Sequence, residues 1–226
     1  DWSSDVCSSD LGSEYDLYCH AAHAIMTDEI KEFGGIVVGE TFVSLGNTPL
    51  VTLADSIIKS EADIIINTLD SAANIPLTIA LRNGGLDAKK VPTIWLGIGE
   101  EEMGALDLPK MLGDLSVMPY FHAIDTPANK AFLERLKAEF RTRQRVSDAT
   151  EASYCAMYLW KQAVEAAGTP EPMKVREGFR GQTFEGPEGT IKIDPTNLYA
   201  WRSARVGELR QVEGIGIAFV VIQETG

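Results

Sequence analysis

The feature that most constrains the fold is the alternation of helix-like and strand-like segments in the first half of the chain. Asn47-Thr48-Pro49 predicts a capped helix start with proline in the first helical position, and apolar residues then recur at 50, 53, 54, 57 and 58. The run 63–69 is rich in β-branched residues, which is typical of a strand buried on both faces of a parallel sheet. Further helices are predicted over 16–33 and 74–85, and further strands over 36–43 and 91–99. Repeated units of this kind predict an α/β fold with a doubly wound parallel sheet.

The second half of the chain predicts longer helices followed by hairpins. An extended segment is expected over 115–121, and Asp125-Thr126-Pro127 then predicts the start of a helix that runs to 140. Two further helices are expected over 149–167 and 172–179. Turn signals at 186–189 and 194–195, with alternating stretches between 183 and 221, indicate hairpins and edge strands.

The charge balance limits the partners that the protein can bind. The 226 residues hold 20 Lys+Arg and 33 Asp+Glu, for a net charge of −13. Phosphate partners are held by clustered basic residues, and no such cluster occurs here, so we expect no nucleic acid and instead a small, neutral or protein partner. The three cysteines show no CxxC spacing, so neither a disulfide framework nor a zinc site is indicated, and no metal or cofactor is predicted.

The first eleven residues, 1–11, do not resemble a natural protein segment. They have no hydrophobic period and no signal-peptide pattern. Codon by codon they resemble the translated end of a common sequencing adapter, which predicts a non-native leader attached to a gene cut at its 5′ end. The alternative is a natural disordered leader rich in Ser and Asp.

Candidate ligand-binding residues follow two of the predicted strands. In a doubly wound sheet, ligands bind at the carboxyl ends of the strands. Asp70 and Ser71 follow the strand that ends near Leu69, and Glu100 follows the strand that ends near Gly99. The alternative interpretation is that Asp70 and Ser71 only cap the next helix, and that the Glu100–Glu102 triplet is a solvated first helical turn.

The sequence contains few patterns that are typical of catalytic residues. We therefore predict no catalytic residue and no enzyme. His20 and His23 lie three residues apart on a predicted helix and are interpreted as surface residues, whereas His122 is expected to be partly buried. Cys155 lies in an apolar and aromatic helical stripe and is expected in the core. The chain contains no GxSxG, P-loop or GxGxxG motif.

Short motifs that recur in order along the chain carry a resemblance to a known family. They are Gly12-Ser-Glu-Tyr15, Leu45-Gly-Asn-Thr48, Ile66-Asn-Thr68, Ile98-Gly-Glu-Glu-Glu102, Tyr120-Phe121, Ile124-Asp-Thr-Pro127, Glu151-Ala152, Gly181-Gln-Thr-Phe184 and Pro187-Glu-Gly189. Together the motifs resemble the urea and short-chain amide binding proteins of ABC importers, which are type I periplasmic binding proteins. The resemblance runs from Gly12 to about Phe219.

The resemblance implies a two-lobed protein that closes on a ligand about a hinge of crossing strands. Residues 12–112 would form most of the second α/β lobe, and 113–226 would supply a hinge crossing, helices and hairpins that complete both lobes, with the first lobe largely missing. Tyr15 matches the family tyrosine that lines the second-lobe wall of the cleft. The family's Asn-Gly-Asp loop is replaced by Asp70-Ser71-Ala72, a change that bears on ligand choice more than on fold.

The function implied by the resemblance is that of a solute-binding component that delivers urea or a short amide to ABC permease subunits, without catalysis. Its location would be periplasmic, or extracytoplasmic with a lipid anchor. Two alternatives stay open: a cytoplasmic amide sensor of the same fold, and a branched-chain amino-acid binding protein in which Asp70 or Glu100 contacts the ammonium group.

Overall fold

The computed structural model describes residues 9–13, 17–43, 49–69, 71–140 and 145–225, with the backbone alone for 9–13, 71 and 72. The chain forms two compact units. The first unit reaches to Val117 and also includes Gly207–Val220, and the second comprises Met118–Val206 and Val221–Gly226. The chain therefore passes from one unit to the other three times. Among the described residues, none of the helices is both long enough and apolar enough to cross a membrane.

The first unit is built around a parallel α/β sheet, as the sequence predicts. Its strands begin with β1 (Ser9–Ser13), β2 (Gly39–Val43), β3 (Ile65–Asn67), β4 (Thr93–Trp95) and β5 (Leu115–Met118), and its helices are α1 (Leu17–Glu32), α2 (Leu50–Lys59) and α3 (Ser71–Asn83). Strands β1 to β5 pair in parallel. Two late strands, β9 (Ala204–Val212) and β10 (Gly216–Thr225), complete the sheet in the order β10-β9-β5-β4-β3-β1-β2.

The amino-terminal strand overlaps the end of the predicted leader. Residues 9–11 fall in the predicted non-native leader, yet Ser9–Ser13 forms β1, which pairs with β2 from Ser9 opposite Gly39 to Ser13 opposite Val43. Parallel pairing depends on backbone N–H and C=O groups rather than on particular side chains, so a segment without a hydrophobic period can still occupy a strand position. Residues 1–8 lie outside the described part of the chain.

Helix α2 shows how the apolar spacing produces the core of the first unit. Its Ala54 and Ile57 are buried and pack with Val43, Ile65 and residues of α3, including Leu77 and Leu81. The helix begins at Leu50, so Pro49 occupies the N-cap and not the first helical position that the sequence predicts. The predicted cap residues Asn47 and Thr48 lie outside the described residues.

A buried ion pair joins α3 to the amino ends of β4 and β5. Asp114 Oδ1 accepts from Arg82 Nη2 at 2.5 Å and from the Thr93 backbone N–H at 2.7 Å, and both charged side chains are at most 3% exposed. Arg82 Nη1 also donates to the Leu86 carbonyl at 3.2 Å. Burial raises the pKa of Asp114 to about 6, although Arg82 and the Thr93 hydrogen bond act to lower it. This pair holds the amino ends of β4 and β5, which lie at the opposite end of the sheet from the carboxyl ends of the strands.

The second unit combines three helices with a small antiparallel sheet. The helices are α4 (Pro127–Phe140), α5 (Asp148–Ala167) and α6 (Pro172–Gly178), and the sheet is formed by β6 (Thr183–Gly186), β7 (Gly189–Ile193) and β8 (Ala200–Trp201). Helix α5 starts at the Ser147 cap and ends at Gly168, whose φ of 64° is the left-handed conformation that favours glycine. Its Cys155 and Leu159 pack against Ile191 and Ile193 of β7, which confirms that Cys155 is a core residue.

Candidate functional site

The carboxyl ends of β3 and β4 form the candidate site of the first unit. Of the four predicted ligand-binding residues, Tyr15 and Asp70 lie outside the described residues. Ser71 is the first residue of α3, and its side chain is not described. Glu100 follows β4 in a turn and is the predicted site residue whose side chain the structure places.

The three consecutive glutamates after β4 occupy three different environments. Glu100 is buried, with 5% of its surface exposed, so the alternative interpretation of the triplet as a solvated helical turn is wrong for this residue. Glu101 is exposed. Glu102 begins a short 3₁₀ helix, and its Oε2 accepts from the Gly99 backbone N–H at 3.0 Å. Glu102 therefore fixes the turn that carries Glu100.

The chain after β4 passes close to the loop after β3. A Cβ atom added to Gly97 would lie 2.7 Å from the Leu69 carbonyl oxygen, a separation that side chains do not adopt, so this approach requires glycine. The predicted strand 91–99 is observed as the shorter Thr93–Trp95, and the chain bends at Leu96 and Gly97. Ser116 of β5 holds the same turn from the other side, because its hydroxyl donates to the Ile98 carbonyl at 2.7 Å.

Two buried asparagines hold the loop after β3. Asn67 Oδ1 accepts from the Leu69 N–H at 2.9 Å, Asn74 Nδ2 donates to the Leu69 carbonyl at 3.1 Å, and Asn67 Nδ2 donates to Asn74 Oδ1 at 2.9 Å. Both asparagines are fully buried. Sequence patterns place Asn67 in a family motif and Asn74 at a helix start, but assign neither residue to the site. In the sequence the two asparagines stand seven residues apart, on either side of a predicted strand-to-helix turn. This spacing is the pattern that could have related them.

His23 links α1 to the end of β3, which corrects the prediction of a surface position. The residue is 1% exposed, its Nε2 lies 3.0 Å from Thr68 Oγ1, and its Nδ1 lies 3.2 Å from Glu40 Oε1. A hydroxyl, an imidazole and a carboxylate in this order are the groups of a hydrolase triad. However, Thr68 is only 6% exposed, so the described contacts position α1 against β3 rather than present a nucleophile to solvent.

The acidic cluster of the second unit holds an arginine. Oxygen atoms of Asp148, Glu151 and Glu188 lie within 4.8 Å of one another, as metal ligands do. Arg202 Nη2 lies between them, at 3.0 Å from Asp148, 3.0 Å from Glu151 and 2.5 Å from Glu188. Burial and the neighbouring Glu188 raise the pKa of Glu151, although Cys155 and Arg202 act to lower it. The guanidinium thus occupies the position that a cation would take.

The chain from residue 8 to residue 224 matches the family model described as the periplasmic binding protein domain. The chain belongs to the periplasmic binding protein family. This finding, with the α/β fold of the first unit, confirms the predicted fold class.

Proteins similar to this chain include two that are named for binding different solutes. The leucine-, isoleucine-, valine-, threonine- and alanine-binding protein of Pseudomonas aeruginosa is 30% identical over 113 residues, which are 50% of this chain and 29% of that protein. A solute-binding protein of an ABC transporter from Rhodopseudomonas palustris, solved with p-hydroxybenzoic acid, shares the fold with a TM-score of 0.88 at 23% identity. That match covers 98% of this chain and 61% of the solved one.

A third relative carries the name of an enzyme. Limonene hydroxylase of Geobacillus stearothermophilus is 24% identical over 96 residues, which are 42% of this chain and 18% of that protein. In all three comparisons the periplasmic binding domain of this chain spans less than two thirds of the relative's length.

Proposed function

We propose that this chain is part of a solute-binding component of an ABC importer, which captures a small polar solute and delivers it to permease subunits without converting it. The observation that carries the proposal is the match to the periplasmic binding protein domain over residues 8–224. The described part of the first unit adds support. Two strand ends meet there, and a buried carboxylate, Glu100, follows one of them.

Glu100 favours solutes that carry N–H groups. When ionised, a carboxylate only accepts hydrogen bonds, and a buried one is stabilised by donors such as amides or ammonium groups. Urea, short-chain amides and amino acids all supply such donors. Aromatic acids bring a carboxylate and no N–H donor, so Glu100 would repel them without a compensating charge-assisted hydrogen bond. We therefore propose urea or a short amide as the solute, held by Glu100 together with Tyr15, Asp70 and Ser71.

A branched-chain amino acid is the second candidate, because the 30% identical relative is named for binding leucine, isoleucine and valine. In that case Glu100 or Asp70 would contact the ammonium group. The periplasm is the proposed location, with a lipid-anchored extracytoplasmic form as its variant. A cytoplasmic amide sensor of the same fold is the competing proposal, and the DNA upstream of this sequence distinguishes the two through a signal peptide or lipobox.

Replacing Glu100 with glutamine is expected to weaken solute binding at least tenfold, because a neutral amide replaces the charged acceptor. Calorimetry of the product of the full reading frame against urea, acetamide, leucine and 4-hydroxybenzoate measures the effect. A wild-type dissociation constant near ~1 μM, or about −8 kcal/mol, is expected for one of the three solutes with N–H groups.

Glu101→Gln is the matched control for this experiment. The residue is adjacent to Glu100 but exposed, so the substitution removes the same charge without altering a buried acceptor. Equal binding losses in both variants would contradict the role of Glu100. The absence of binding by all three N–H solutes, or turnover of an amide, would contradict the proposed function.

A further inference from the structure

We infer that Asn67 and Asn74 are positioning residues that hold the Leu69 backbone, directly after β3, in the conformation that solute binding requires. The inference rests on the proposed function, because Asp70 and Ser71 directly follow the residue that the two asparagines hold. Neither asparagine is assigned a solute contact. Each acts through the backbone of Leu69.

The hydrogen bonds of the two side chains form a closed circuit with Leu69. The Leu69 N–H donates to Asn67, the Asn67 amide donates to Asn74, and the Asn74 amide donates back to the Leu69 carbonyl, with distances of 2.9, 2.9 and 3.1 Å. Both backbone polar groups of one loop residue are thereby fixed by side chains. Because hydrogen bonds are directional, these contacts define the orientation of the Leu69 backbone. The course of the chain after Leu69 depends on that orientation.

The burial of the two side chains argues for a positional role. Both are 0% exposed, beside an apolar cluster that includes Leu69 and Leu77. A buried amide pair gives little net stability over apolar residues of the same shape, since burial first removes its hydrogen bonds to water. The asparagine pair supplies a hydrogen-bond partner for each of the two Leu69 backbone groups. Two apolar side chains would not.

The segment directly after β4 supports the circuit from its other side. The Leu96 N–H donates to the Asn67 carbonyl at 3.0 Å, and Gly97 lies against the Leu69 carbonyl. The loop after β3 and the turn after β4 are thus held as one piece. Any displacement of Leu69 would be transmitted to the turn that carries Glu100.

Amide hydrogen exchange of this chain tests the inference without any solute. Asn74→Leu removes two hydrogen bonds of the circuit but keeps the acceptor of the Leu69 N–H, which is Asn67 Oδ1. We expect exchange at the Leu69 amide to become at least tenfold faster, because the remaining bond depends on the intact circuit. The Ile65 amide, which donates to the Pro92 carbonyl at 3.0 Å, serves as the internal reference and should change less than twofold.

Leu77→Ala is the matched control, since Leu77 lies one turn further along α3 and is equally buried, but makes apolar contacts. It should destabilise the unit without selectively accelerating exchange at Leu69. Gly97→Ala provides a second variant, which displaces the same carbonyl from β4 and should also accelerate exchange at Leu69. Unchanged Leu69 exchange in the folded variants, or an equal acceleration in Leu77→Ala, would overturn the inference.

The result of the hydrogen-exchange experiment does not depend on the calorimetry of solutes proposed for Glu100. Failure of every solute to bind would overturn the proposed function and leave the exchange result standing. Conversely, a solute that binds Asn74→Leu as tightly as wild type in the full reading frame would overturn the positioning role and leave the proposed function intact. A loss of affinity of tenfold or more in Asn74→Leu, with Leu77→Ala unaffected, supports both.

Discussion

Replacing Arg202 with methionine is expected to destabilise the second unit by about 3–5 kcal/mol at pH 7, the usual effect of removing one partner from a buried charge cluster. The guanidinium contacts three carboxylates, of which Glu151 and Glu188 are at most 1% exposed. Without it, Asp148, Glu151 and Glu188 repel one another, and burial keeps water from screening Glu151 and Glu188. Urea unfolding followed by circular dichroism measures the change.

Arg210→Met is the control for this variant, because Arg210 also pairs with a carboxylate, Glu208, but with about half of its side chain exposed (49%). Solvent screens such a pair, so little change is expected. The penalty in Arg202→Met should shrink as the pH falls, since burial already raises the pKa of Glu151 and protonation removes the repulsion. Equal stability of Arg202→Met and wild type at pH 7 would contradict the role of Arg202.

The second large effect is expected from Arg82→Met in the first unit. The substitution leaves the fully buried carboxylate of Asp114 without its counter-ion, which costs about 3–5 kcal/mol at pH 7. The Thr93 N–H still donates to Asp114, but a single neutral donor does not replace a charge at 2.5 Å. Lys110→Met, which removes a half-exposed cation from the same unit, is the control and should have little effect.

The pH dependence of the Arg82–Asp114 pair follows from the raised pKa. The folded pKa of Asp114 is about 6, above its ordinary value of 3.8, so the folded protein holds this proton more tightly than the unfolded chain. The contribution of Asp114 to stability therefore falls by about 3 kcal/mol as the pH rises from about 4 to 6. Asp114→Asn should remove this dependence. A wild-type profile with the opposite slope, unchanged by Asp114→Asn, would contradict the assignment.

Local sequence patterns predict the elements whose own residues determine them. The helix predicted over 149–167 is observed as Asp148–Ala167, and the apolar positions 50–58 fall within Leu50–Lys59. Both helices have regular apolar spacing and a clear stop or start residue. The buried β3 strand was likewise predicted from its β-branched run.

The environment of polar residues depends on contacts that no local pattern contains. His23 is buried and contacts Thr68, which lies 45 positions further along the chain, and Arg202 contacts Asp148 across 54 positions. Glu100 has the local sequence of an exposed helical turn but lies where the ends of two strands meet. The loops after β3 and β4 can be predicted from the sequence, whereas the burial of Glu100 and the asparagine circuit depend on the fold.

The triple passage of the chain between the two units has a consequence for synthesis on the ribosome. Strand β5 ends at Met118, but its neighbour in the sheet, β9, begins only at Ala204, so β5 is made well before β9. Until then the β5 edge has no partner strand, and an unpaired edge invites pairing with other chains. The sheet of the first unit is thus completed only after most of the second unit has been made, and protection of the β5 edge during translation is expected to raise the yield of native protein.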